Sequence, residues 1–296
     1  MAIPFPKDRA LQYSASIEAV TFGLLVARDG EGVEYLFHSL EPSPLITLFN
    51  AAVAASMTPS SYVEFIGGEE GPYQGGEALA EMLELDYLYV DGEIAVINKE
   101  PALLAVPGRG EEKSESVTTR LKRHFPVTLA NPAVHRLDYD TSGLMVLALT
   151  QNALSKLSLQ FSKRLVYKRY VALLEGSLEK EEGATQLAFR YDPHNKPCQI
   201  YDPVLGKWGE TRWKKIGEER FQERVVTRVE LFPLTGRTHQ LRLHTSHPKG
   251  IGIPIVGDRL YGDGRDAPRL MLHATTLGFK HPSTGEYLEF QTPEMF

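Results

Sequence analysis

From residue 85 onward the chain is a succession of short strand-like segments at irregular intervals, and that irregularity is what most limits its fold. LDYLYVDGEIAVINKE reads as two strands about Asp91-Gly92, a strong short hairpin signal. LMVLALT is an apolar run of buried-strand length, and YKRYVALLEG, VVTRVELFPL, LMLHATTLGF and EYLEFQTP are further strands. Between them the periodicity becomes helical. SESVTTRLKRHFP is a helix that Ser114 or Ser116 can cap and that Pro126 stops. NALSKLSLQFSK puts Leu154, Leu157 and Phe161 on one stripe, and HQLRLHTSH reads as a short helix. A doubly wound sheet requires regular alternation of strand and helix. The pattern here predicts an α+β fold with a mixed, largely antiparallel sheet.

Charge divides the chain at the same place. Residues 1–85 carry 12 acidic and 3 basic side chains, a net of −9, whereas residues 86–296 carry 26 and 29, a net of +3. Such asymmetry separates a main domain, 86–296, from an acidic N-terminal extension, 1–85. The extension reads as a small α+β element. It has a hairpin around RDGEG, a short helix at PLITLFNAAVAA, a loop or linker at FIGGEEGPYQGG and a helix at GEALAEMLEL. It carries no chemical motif. The overall charge of −6 argues against a polyanion partner, but the main domain can bind one if its bases converge on one face. No apolar run reaches membrane-spanning length, and the N-terminus lacks the apolar core of a signal peptide. The single cysteine, Cys198, excludes an internal disulfide and a cysteine-rich zinc site. All this suits a cytosolic protein.

Three segments carry the residue types that chemistry requires. HRLDYDTSG places Asp138 on a turn between a loop and the strand LMVLALT, where a carboxylate can act as nucleophile or base. The same residues also suit a surface turn with a salt bridge. A kinase catalytic loop is excluded, because the aspartate is displaced by one and no D-F-G follows. LTGRTHQLRLHTSH puts Arg237 on a turn and Arg242 on the helix behind it. Their forked donors can hold a carboxylate or grip a phosphate, or simply solvate a basic face. His239, His244 and His247 lack the spacing of a zinc-binding helix, and no metal site is expected. In FSKRLVYKRYVALLEG, Lys163, Arg164, Lys168 and Arg169 flank Tyr167 and Tyr170. That mixture suits RNA, with phosphates neutralised and bases resting on rings, and suits equally an exposed strand with snorkelling lysines.

Taken together and in order, these segments resemble the RluA family of pseudouridine synthases. HRLDYDTSG is similar to the family's catalytic block, and QFSKRLVYKRYVAL to its second block. PLTGRTHQLRLH, PIVGDRLYG and LMLHA are similar to the remaining blocks, and YVDGEIAVINKEPALLAVPGRG to the first strands. The resemblance covers about residues 86–296. Two departures are visible: Glu100 and the residues after it alter the loop behind the first hairpin, and HTSHPKGIGIPIVGD is long. The resemblance implies a pseudouridine synthase catalytic domain that isomerises uridine in structured rRNA or tRNA, flipping the nucleotide into a pocket. It implies Asp138 as the essential aspartate, Arg237 as the cation that keeps it ionised, and Tyr170 as the ring under the target base, with a hydroxyl that can shuttle a proton. Arg136, Lys168 and Arg242 are implied as substrate contacts. The reaction needs no metal or other cofactor. Two other classes remain open: an RNA-binding protein without activity, and a docking module acting through residues 1–85. The joint presence of Asp138, Tyr170 and Arg237 favours an enzyme.

Overall fold

Valine, isoleucine and aromatic residues between turn formers make strands the main element of this chain. The structure, a computed structural model, describes residues 85–296 apart from 109, 111–113, 126–128 and 265–266, together with four strands nearer the N-terminus. Those four are β1 (Leu24–Arg28), β2 (Glu34–His38), β3 (Tyr62–Ile66) and β4 (Tyr73–Gln74). They form an antiparallel sheet in the order β2-β1-β3-β4. β1 and β2 are the hairpin expected around RDGEG, with Arg28 opposite Glu34. FIGGEEGPYQGG, expected as loop, has strand at both ends. Phe65 pairs with Tyr73 and Glu64 with Gln74, and the glycine-rich residues between them lie outside the described residues. The helices expected at PLITLFNAAVAA and GEALAEMLEL lie outside the described residues.

The chain forms two compact units. One runs up to Lys99 and takes in Ala105–His135 and Met145–Ser158; the other comprises Glu100–Leu104, Arg136–Leu144 and Leu159–Phe296. This division does not follow the charge break at residue 85. In the first unit β5 (Asp86–Val90) and β6 (Ile94–Lys99) form the hairpin about Asp91-Gly92. Asp91 Oδ1 accepts the N–H groups of Glu93 and Ile94 at 2.7 and 2.8 Å, which closes the turn. α1 (Val117–His124) is capped by Ser116, whose Oγ accepts the Thr119 N–H at 3.1 Å. β7 (Ser142–Ala148), whose first three residues belong to the second unit, is buried throughout, as its unbroken apolar run requires. α2 (Gln151–Ser162) buries Ala153 and Leu157.

The second unit is a sheet of β8 (Tyr167–Glu175), β9 (Glu182–Tyr191), β10 (Gln199–Tyr201), β11 (Lys207–Phe221) and β12 (Arg224–Pro233). The helix α3 (Gln240–Ser246) and the strands β13 (Leu272–Lys280) and β14 (Tyr287–Gln291) complete it. The strand order is β10-β9-β11-β12-β8-β13, with antiparallel neighbours. The far half of β13 pairs antiparallel with β14, and its start pairs in parallel with the start of β7. The sheet is therefore mixed and largely antiparallel, and the fold is α+β. Its core joins Leu173 and Leu174 of β8, Val229 and Leu231 of β12 and Leu272 of β13. Among the described residues no helix is long and apolar enough to cross a membrane.

Candidate active site

The turn that carries Asp138 is fixed at its far end. The Asp138 carbonyl accepts the Thr141 N–H at 3.2 Å. Ser142 and Gly143 then lie alongside His273 and Ala274 at the start of β13. Ser142 Oγ receives a short hydrogen bond from Arg269 and shares a second hydrogen bond with His273 Nδ1, 2.7 Å away. Gly143 has φ 112°, and a Cβ there would stand 2.4 Å from the Ala274 carbonyl oxygen. Only glycine permits that approach. Asp138 itself is half-buried, while Arg136 and Tyr139 face solvent.

Tyr170 enters the same row from the other side of β13. Its register partners are Ala274 on β13 and Leu231 on β12, so Gly143, Ala274 and Tyr170 follow one another across adjacent strands. Burial, and then the negative charge of Asp138, hold the Tyr170 hydroxyl well above its usual range. The hydroxyl therefore keeps its proton and feels the charge of Asp138. Lys168 lies two residues earlier, on the same face of β8. Burial pulls its ammonium down to about 8, and it has no ion-pair partner among the described residues.

The third expected segment divides into a surface part and a buried part. Arg237 is exposed on the turn between β12 and α3, and among the described residues its guanidinium makes no ion pair with Asp138. What is anchored there is the backbone. The Arg237 N–H donates to Gln240 Oε1 at 3.1 Å, and the same oxygen accepts from Thr235 Oγ1 at 2.6 Å. Gln240 Nε2 donates to the Glu210 carbonyl and to Thr211 Oγ1 at 2.9 and 3.0 Å, so one buried amide with every group satisfied sets the turn. Sequence alone did not single out Gln240.

Arg242, expected among the substrate contacts, has a different position. It is 2% exposed, and its Nε and one terminal nitrogen fork onto the two Asp258 oxygens at 2.8 and 2.6 Å. A guanidinium buried and engaged in this way ties α3 to the loop of Asp258. At 2% exposure it presents little surface for the RNA contact expected of it. The three histidines do not converge. His239 bonds Tyr261, His244 bonds Thr211, and His247 Nδ1 accepts the Lys249 N–H. Among the described residues no three histidine, cysteine, aspartate or glutamate side chains gather as a metal-binding group.

The sequence profile described as RNA pseudouridylate synthase matches residues 93–247. The dual-specificity RNA pseudouridine synthase RluA of Escherichia coli (strain K12) is 41% identical over 212 residues, covering 71% of this chain and 93% of that protein. The enzyme of the same name from Haemophilus influenzae is 40% identical over 215 residues, covering 72% and 94%. Among solved structures, human RNA pseudouridylate synthase domain containing 1 matches with TM-score 0.59 and 29% identity, over 75% of this chain and 86% of that one. With the fold, the ordered motifs and these relatives in agreement, the chain belongs to the RNA pseudouridylate synthases, isomerases that turn uridine in RNA into pseudouridine.

Proposed function

We propose that the reaction takes place at the turn bearing Asp138, with structured rRNA and tRNA as substrates. The observation that carries this reading is the row Gly143–Ala274–Tyr170, which sets that turn beside the ring of Tyr170 across one intervening strand. Isomerisation breaks the bond from C1′ to N1 of the base and makes one from C1′ to C5, with the C5 proton lost to water and a proton taken up at N1. The base must therefore leave the RNA stack and turn within a pocket. Asp138 supplies the carboxylate that starts this step. Tyr170 stacks on the freed base, and its hydroxyl, protonated at rest, can pass a proton on. Arg136, exposed two residues before Asp138, fills or faces the gap left by the flipped nucleotide. Arg237 and Lys168 supply positive charge to the nucleotide's phosphate and to Asp138. No step calls for a metal or a redox cofactor, since no electrons and no group are exchanged with a third molecule.

The assignment of two RNA classes rests on the dual specificity named for the bacterial relatives. A cytoplasmic location goes with those substrates. The test is pseudouridine mapping of rRNA and tRNA from cells with and without the gene, with purified protein added back to the unmodified RNA. The expected result is loss of a defined pseudouridine in each class and its restoration in vitro. If both RNA classes keep every pseudouridine when the gene is removed, the substrate assignment is wrong.

A further inference from the structure

His239 stands at the entry to α3 with φ 55° and ψ 21°, the left-handed region that a non-glycine residue adopts at an energetic cost. The residue is 8% exposed, and among the described residues only one of its two ring nitrogens has a partner. Nδ1 lies 2.9 Å from the Tyr261 hydroxyl oxygen. That oxygen already accepts the Gln199 backbone N–H at 2.7 Å. The hydroxyl proton then has one acceptor in reach, His239 Nδ1. The opposite arrangement would set two donors on the phenol oxygen and strand its own proton inside the protein. Burial also raises the Tyr261 hydroxyl above its usual range, which keeps that proton in place.

Nδ1 is therefore an acceptor, and the ring's proton sits on Nε2. Burial keeps the imidazole neutral and outweighs the opposing pull of Asp138, Asp258 and Asp140, while Arg242 acts in the same direction as burial. Of these charges Asp138 acts on the ring most strongly. Nε2 has no hydrogen-bond partner among the described residues, and it is not sealed inside as the Nε2 atoms of His244 and His273 are. The support behind the ring is rigid. Asp258 Oδ1 accepts the Tyr261 N–H at 3.1 Å, and the Arg242 guanidinium that forks onto Asp258 lies over the Tyr261 ring.

We propose that His239 is a substrate-contacting residue: a neutral imidazole whose Nε2–H donates a hydrogen bond to an acceptor oxygen of the target nucleotide, with Tyr261 as the positioning residue that fixes its tautomer. This deepens the reading of Asp138 as the reacting carboxylate and rests on it. A neutral donor suits the place, since a second anion beside Asp138 would be repelled and a second cation would compete for it.

The test uses the full chain and an RNA stem-loop carrying the target uridine. ¹⁵N shifts of the histidine ring should show His239 protonated at Nε2 alone, and in Tyr261→Phe as a mixture of tautomers. His239→Asn suits the left-handed backbone but cannot place a donor where Nε2 was. It should slow single-turnover conversion about 10- to 100-fold and leave RNA affinity within about threefold. His239→Gln, whose amide reaches that point, should recover part of the rate. Stem-loops with 2-thio, 4-thio or 2′-deoxy substitution at the target identify the oxygen: one of them should slow the wild type and add no further loss to His239→Asn. Protonation at Nδ1, a His239→Asn rate within about twofold of wild type, or independent effects for all three substitutions would overturn the proposal. Asp138→Asn in the same assay separates the two claims. If it stays active, the site is misplaced; if it is inactive while His239→Asn is unimpaired, only the histidine assignment fails.

Discussion

Gly143 shows how much of the site rests on one backbone position. Its φ of 112° and the closeness of the Ala274 backbone leave no room for a side chain. Gly143→Ala must push the Asp138 turn away from β13. A shift of about 1 Å at a reacting group costs on the order of 100-fold in rate, and the strained backbone costs on the order of 1–3 kcal/mol. Gly92→Ala is the control, because nothing lies within 4 Å of a Cβ there and its φ is not positive. Single-turnover rates and thermal melts of the two variants should separate sharply; equal behaviour would show that the register of β7 on β13 does not set the site. Lys168 makes a second prediction at this scale. With its ammonium pulled down to about 8, it is charged below that pH and neutral above it. RNA affinity should therefore fall as pH rises through about 8 in the wild type, and the step should vanish in Lys168→Arg, which stays charged throughout. A pH titration of binding for the two proteins checks this.

Among the elements, α3 depends on a buried ion pair. Arg242 and Asp258 are 2% and 0% exposed in their side chains, and Asp258 Oδ1 also accepts the N–H groups of Leu260 and Tyr261. Asp258→Asn leaves a buried guanidinium without its counter-charge, at a cost of about 3–5 kcal/mol in a urea titration. A loss below about 1 kcal/mol would mean that the pair is screened like a surface salt bridge. Sequence patterns revealed the elements unevenly, for physical reasons. The Asp91-Gly92 hairpin and the Ser116 cap are local chemistry, and both form as expected. β9, β10 and the long strand β11 gave no clear signal. Alternate positions of β11 do face inward, but they are Gly209, Thr211 and Trp213 among charged neighbours, so no apolar rhythm shows. Arg242 was legible as a functional cation and not as a buried one, because its partner lies 16 residues away on another loop. Gln240 and Tyr261 were invisible for the same reason: their roles exist only once distant loops meet.

Across the whole molecule, the expected site residues all fall in one compact unit, although they come from Arg136–Leu144 and from Leu159–Phe296. In that unit His244 and His273 are the most deeply buried of the described histidines, 1% and 3% exposed. Burial pushes both down to about 4 from an ordinary 6.5, and for His273 the nearby Arg269 adds to it. The folded state thus binds fewer protons than the unfolded state between these values. Their contribution to stability is complete above pH 6.5 and is lost as pH falls toward 4, by at most about 3 kcal/mol each. The melting temperature should drop steadily from pH 7 to pH 4.5, and less steeply in His244→Asn or His273→Asn; parallel curves for variants and wild type would contradict this. The proposed reaction depends on Asp138 above every other residue. Asp138→Asn keeps the volume of the side chain and removes the charge that makes it a nucleophile or base. Asp140→Asn changes the same turn two residues further on. Single-turnover pseudouridine formation, followed beside an RNA-binding titration, should show no product with Asp138→Asn, with affinity largely retained, and continued turnover with Asp140→Asn. Turnover near the wild-type rate in Asp138→Asn, with Asp140→Asn inactive, would contradict it.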